Sequence, residues 1–139
     1  MIDELKNFEE LEEHIGNSNL TYREAILDYY KKLGERMGFT VRENFSVIKN
    51  GVNSGKLDII WIEPNITFIT EFGKLDDILK HLWKIVEFSP SLAVLLLSSK
   101  SECRAEKVSE LIEKSDITRE AKNRFLILDV TEKKVIREP

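Results

Sequence analysis

Glutamine is missing altogether from these 139 residues, cysteine occurs once, and histidine only twice. The lone thiol, Cys103, excludes an internal disulfide and any zinc site built from several cysteines, and it fits a reducing, cytoplasmic setting. No apolar run approaches the roughly 18 residues of a membrane-spanning helix. The start, Met1-Ile2-Asp3-Glu4-Leu5, lacks the basic and apolar regions of a signal peptide, so a chain free of the membrane is expected. A charge excess is missing too. Lysine and arginine number 21 against 25 aspartates and glutamates, a formal charge of −4, so any site for a polyanion must be a local patch. Lysine and glutamate are abundant where glutamine is absent, the compositional direction of hyperthermophilic proteins.

The length suits one compact domain, 1–139, with its own core. Residues 1–18 read as an N-terminal helical extension, with Leu5, Phe8, Leu11 and Ile15 at helical spacing. Thr21 with Glu24 three residues on forms a capping box for a helix whose stripe Tyr22, Ile26, Tyr29, Leu33 and Met37 is expected to face the core. A strand over Phe39 to Val47 follows, and then a polar stretch from Lys49 to Lys56 containing Asn50-Gly51 and Ser54-Gly55. Two further strands, Leu57 to Glu63 and Ile66 to Phe72, flank a turn at Pro64-Asn65. A helix from about Leu75 to Phe88 is expected to turn Ile78, Leu79, Leu82, Trp83 and Val86 inward. The continuous apolar run Leu92 to Leu97 is the mark of a strand covered on both faces, hence central and parallel. A helix around Glu102 to Lys114, a strand from Phe125 to Val130 and a short Val135-Ile136 segment complete residues 99–139. The predicted architecture is α/β, a central mixed sheet flanked by helices.

Within that pattern two acidic residues stand where apolar ones are expected. If Glu63 pairs with Ile66, Asp58 lies directly opposite Glu71 on one face. Cross-strand Cβ atoms are then about 5 Å apart, and like charges there destabilise. At an effective dielectric near 20 the repulsion is roughly 3 kcal/mol, which a divalent cation would offset. A four-residue loop in place of a tight turn would also suit Pro64, whose ring forbids the positive φ of a type I′ turn. Taken singly, Asp58 has an alternative reading as the polar entry of its strand, and Glu71 as a helix cap.

The order helix, three strands, helix, strand, with Lys56-Leu57-Asp58 on the second strand and Glu71-Phe72-Gly73-Lys74 closing the third, resembles the restriction-endonuclease-like PD-(D/E)XK nuclease family over residues 21–98. That resemblance implies a Mg2+- or Mn2+-dependent nuclease in which Asp58, Glu71 and the backbone carbonyl of Phe72 hold the metal. It implies a catalytic lysine two residues after the glutamate, where this chain has Gly73. Lys74, one residue late, is the nearest lysine and reaches the site only if a bulge re-aims it; Lys56, Lys80 or Lys84 could replace it. Lys56, Lys74 and Arg42 are the expected contacts to nucleic acid, with DNA ahead of RNA, and Lys31, Lys32, Arg36 and Arg42 are candidates for a phosphate-binding rim, Lys31 and Lys32 having the alternative reading of the solvated face of an amphipathic helix. Many relatives carry an inward glutamate on the first helix, whereas Glu24 falls opposite the Tyr22 stripe and is expected to serve as a cap. These departures keep a second possibility open, a nuclease-like module that binds nucleic acid or a protein partner, including a second copy of itself, without cleaving.

Other signals lead nowhere. Gly51-Val52-Asn53-Ser54-Gly55-Lys56-Leu57 has three residues between its glycines rather than four, ends in leucine rather than Ser or Thr, and precedes a strand, so it is no P-loop. His14 and His81 are both expected on helices, in surface or packing roles.

Overall fold

The computed structural model describes residues 1–139. In chain order it contains α1 (Ile2–Leu5), α2 (Phe8–Gly16), α3 (Tyr22–Arg36), β1 (Val41–Lys49), β2 (Val52–Trp61), β3 (Ile66–Thr70), α4 (Leu75–Phe88), β4 (Leu92–Leu97), α5 (Ala105–Lys114), β5 (Phe125–Asp129) and β6 (Lys134–Arg137). The six strands form one sheet in sequential order β1 to β6. The pairs β1/β2, β2/β3 and β5/β6 are antiparallel, and β3/β4 and β4/β5 are parallel. The mixed α/β sheet expected from the apolar patterning is therefore present. Every residue of β4 is buried, as its unbroken apolar run requires.

The helices cover both faces. On one, α2 and α3 lay Leu11, Ile26, Tyr30 and Leu33 over Ile59, Trp61, Phe68 and Val94. On the other, α4 and α5 lay Ile78, Leu82, Ile85, Val108 and Ile112 over Ile69, Leu95 and Ile127. At roughly 1.5–3 kcal/mol for each fully buried large aliphatic or aromatic side chain, these two layers are the main force holding the sheet. Contact between α3 and the sheet is close because position 34 is glycine. A Cβ there would lie 2.3 Å from Trp61 Nε1, whose N–H donates to the Tyr30 carbonyl at 3.1 Å.

Several local expectations change. The N-terminal helix is two pieces, because Asn7 caps a new start by accepting the Glu10 N–H. The polar stretch after Lys49 is not a loop. Asn50 and Gly51 both take positive φ (54° and 78°), as a two-residue hairpin turn of the I′ kind demands, and pairing resumes at Val52 with Lys49. Tyr22 is exposed rather than inward, its ring lying 5.8 Å from that of Phe72, while Ile26, Tyr29 and Leu33 are buried as expected. On α4, Leu79 and Trp83 are exposed and Ile85 takes their place inside. Ile78, Leu82 and Ile85 lie at i, i+4 and i+7, a narrower stripe than the apolar residues of this helix would allow.

Candidate functional site

The β2/β3 hairpin closes with Trp61 opposite Ile66, so Ile62 to Asn65 form a four-residue connection and the register differs by two residues from the expected Glu63–Ile66 pairing. Asp58 therefore does not face Glu71 directly. A slip of two preserves the face, because side chains alternate with period two. Strict alternation nonetheless ends at Asp58, whose neighbours Leu57 and Ile59 enter cores on opposite sides of the sheet. Ladder pairing between β2 and β3 runs only over Ile59 to Trp61, and beyond it the Asp58 carboxylate takes the place of a backbone partner. Its Oδ2 accepts the Thr70 N–H at 2.9 Å, and its Oδ1 accepts from the Arg23 guanidinium at 2.9 Å.

Glu71 follows β3 directly. Its Oε1 lies 2.9 Å from His81 Nε2, and its Oε2 accepts the Gly73 N–H at 2.9 Å. The loop carrying it is tied down from the far side, where the Cys103 N–H donates to the Gly73 carbonyl at 3.1 Å. All four oxygens of the two carboxylates thus have protein donors or a histidine nitrogen beside them.

Lys84 is the unusual member. It is only 8% exposed, on the inner side of α4, one turn beyond His81. Its aliphatic chain crosses Gly55, where an added Cβ would sit 2.9 Å from Lys84 Cδ, and its Nζ donates to the Lys56 carbonyl at 2.6 Å. Burial pushes the Lys84 ammonium below the ordinary lysine range, and the negative charges of Asp58 and then Glu71 pull the other way. His81 is shifted down as well, by burial first and then by the Lys84 charge, against the pull of Glu71. Its Nδ1 is buried without a hydrogen-bond partner. Positive charge from Arg23 and Lys84 therefore serves where the facing carboxylates were expected to need a cation.

The other residues singled out from sequence fall as follows. Lys74 is the exposed residue preceding α4 and forms no ion pair or hydrogen bond with either carboxylate. Phe72 is half-buried and its ring lies 5.8 Å from that of Tyr22. Lys56 enters through its carbonyl, with its side chain exposed. Arg42 is exposed on β1 and donates to the Val41 carbonyl. Thr21 caps α3 by accepting the Glu24 N–H, and Glu24 also lines the groove that reaches Asp58 between α3 and β1, together with Glu43. Among the rim candidates, Lys31 pairs with Glu43, Lys32 with Asp28 and Arg36 with Glu10. His81 and Arg23 are the contributors that sequence reasoning missed. The available signal was His81 and Lys84 at i, i+3 on a helix facing the hairpin, a spacing that puts both on one side.

As to metal, Asp58, Glu71 and the Phe72 carbonyl are hard oxygen donors of the kind magnesium and manganese take, and one or two carboxylates are the usual protein share of such a site. The donor set fits in kind. No cluster of three or more His, Cys, Asp or Glu side chains is gathered for a metal, so the protein offers no complete cage. No helix is long and apolar enough to cross a membrane. Comparison with protein-family models, with curated proteins and with solved structures gave no match to this chain.

Proposed function

We propose that this protein is a divalent-metal-dependent nuclease, hydrolysing phosphodiester bonds where β2 and β3 part and Asp58 and Glu71 emerge. The observation that carries the reading is Lys84, a buried lysine of α4 whose chain crosses Gly55 and whose Nζ reaches the Lys56 carbonyl, two residues before Asp58. Perturbed titratable groups gathered at one place, here Lys84 and His81 beside the two carboxylates, are a common signature of a reaction centre. Asp58, Glu71 and the Phe72 carbonyl would hold Mg2+ or Mn2+. Such an ion, when bound, lowers the pKa of a water and stabilises negative charge on the phosphoryl group. Lys84 stands in for the lysine missing at position 73. After its bond to the Lys56 carbonyl, Nζ has two further N–H donors for a phosphate oxygen or the attacking water. His81 orients Glu71, and Arg23 balances the charge of Asp58. Hydrolysis consumes one water, forms its bond to phosphorus, and releases a hydroxyl end and a phosphate monoester.

The test is incubation with DNA and RNA in manganese, alongside Asp58→Ala and Glu71→Gln. Cleavage by the wild type and its loss in both variants is expected. Equal cutting by all three would mean a contaminant.

A second reading, a nuclease-like module that binds without cleaving, draws support from one specific feature: each carboxylate oxygen already has a protein partner. Thermal unfolding with and without millimolar manganese separates the two, because a ligand that binds only the folded state raises Tm. An unchanged Tm together with nucleic-acid binding would favour the module.

A further inference from the structure

The β1/β2 hairpin that brings in Asp58 changes sides of the sheet at one pair of positions. On β2, Leu57 enters the core under α4 and α5, while Ile59 and Trp61 enter the one under α2 and α3. On β1, Val41 packs against the α2/α3 core, and Phe45 and Val47 against the other. Side chains two or four apart on a regular strand share a face, so both strands turn over between these residues. The pairing brackets the place. Glu43 is opposite Ile59 and Phe45 is opposite Leu57, so Asn44 stands across from Asp58, yet these two are not paired. The register is the same on both sides, so no residue is inserted and the irregularity is not a β-bulge. Asn44 takes a φ of +50°, the one non-glycine residue inside a strand to do so, in the left-handed region that asparagine enters at little cost. One left-handed residue breaks the two-residue alternation, and the side chains before and after it leave opposite faces.

Asp58 is thereby left without a strand partner on β1 or on β3. In a regular pair its carboxylate would stand perpendicular to the sheet. Instead it lies in the gap between strands, where Oδ2 meets the Thr70 N–H. Asn44 is exposed and lines the groove that reaches Asp58, and its carboxamide bonds to no other side chain or backbone group, so its effect comes through the backbone. We infer that Asn44 is a positioning residue: its left-handed backbone unpairs β2 at Asp58 and sets that carboxylate against Thr70, where the proposed reaction uses it. The placement of Asp58 stands on the hairpin alone, and its catalytic meaning rests on the nuclease reading.

The experiment reads the Asp58 carboxylate directly, through the Thr70 amide in proton–nitrogen NMR spectra of the full chain, with manganese-dependent cleavage measured in parallel. Asp58→Ala supplies the signature of the lost bond, an upfield Thr70 proton that exchanges faster with solvent. Valine, branched at Cβ, does not settle at a φ near +50°. Asn44→Val is therefore expected to move the Thr70 amide toward its Asp58→Ala position and to lower cleavage about 100-fold, the usual loss for a misplaced group. Asn44→Gly removes the carboxamide and keeps the backbone, so both the Thr70 signal and most of the activity should survive. If Asn44→Val does not fold, Asn44→Ala makes the same comparison with a smaller side chain and should move Thr70 in the same direction. Overturning results are a Thr70 amide that stays put in the folded variant, or one that Asn44→Gly moves as far as Asn44→Val does. Sedimentation showing that Asn44→Val self-associates with Thr70 unmoved would also overturn the inference, assigning the left-handed residue to guarding the open edge of β1. A displaced Thr70 amide in a protein whose wild type never cleaves would leave the positioning intact and end the nuclease reading. Wild-type cleavage with Thr70 unmoved in the variants would do the reverse.

Discussion

Replacing Lys84 by methionine separates chemistry from stability more sharply than any other change. Methionine keeps most of the aliphatic volume over Gly55 and removes only the ammonium. The direct loss is the 2.6 Å bond to the Lys56 carbonyl, and leaving that acceptor unpaired costs about 1–3 kcal/mol. Against this stands the desolvation of a charge in a side chain only 8% exposed, several kcal/mol in effect, which the substitution relieves. Lys84 makes no ion pair within 4.0 Å, and Asp58 and Glu71 keep their own partners, so no buried charge is stranded. The two terms oppose each other and nearly cancel. Lys84→Met should therefore unfold in urea within about 2 kcal/mol of the wild type at pH 7. Its manganese-dependent cleavage should fall at least about 100-fold, the usual loss when one charge-stabilising donor is removed.

A pH series adds an independent check on the same variant. The folded pKa of Lys84 lies below the unfolded value, so between the two the unfolded chain binds more protons. Wild-type stability relative to Lys84→Met should then rise with pH through that window up to about 10.5, and the burden should be fully present below it. Taking the difference between the two proteins cancels other titrating groups. Full cleavage by Lys84→Met, in a protein that Asp58→Ala inactivates, would refute the assignment of Lys84 to the chemistry. Collapse of the variant's fold would show that the cancellation was misjudged.

Three further outcomes follow from the packing. Gly34→Ala drives a methyl into Trp61, with atoms at 2.3, 2.6 and 2.7 Å, and should cost about 3 kcal/mol in urea unfolding; a neutral result would mean α3 can lift from the sheet freely. Gly55→Ala meets both a φ of +112° and Lys84 Cδ at 2.9 Å, and should lower stability by about 1–3 kcal/mol. In a Lys84→Ala background the same change should cost less, a coupling that a double-mutant cycle reads directly. Cys103 is fully buried and its thiol is pushed up to about 11, so iodoacetamide at pH 8 should modify it only as fast as the protein opens; rapid labelling of the native chain would contradict its placement.

The element order was legible because it depends on local pattern. The Thr21 cap, the unbroken apolar run of β4 and the helical stripe of Ile26, Tyr29 and Leu33 each fix an element within a dozen residues of chain. Where two patterns overlapped, as with the surplus of apolar residues on α4, sequence could not say which stripe faces in, and Trp83 and Leu79 went to the outside. The Lys49 to Lys56 stretch misled for a related reason. Its polar side chains suit a loop and an exposed edge hairpin equally well, and only the Asn50-Gly51 turn decides for the hairpin.

By itself, then, the sequence determined the α/β layering and the presence of Asp58 and Glu71 near one end of a hairpin, since alternation and capping act between near neighbours. The tertiary structure alone decided the register, set by a four-residue connection that places Trp61 against Ile66. It alone decided the company the acids keep as well. Arg23 arrives from a helix 35 residues away and Lys84 reaches back 28 residues to Lys56, approaches fixed by how α3 and α4 pack on opposite faces of the sheet.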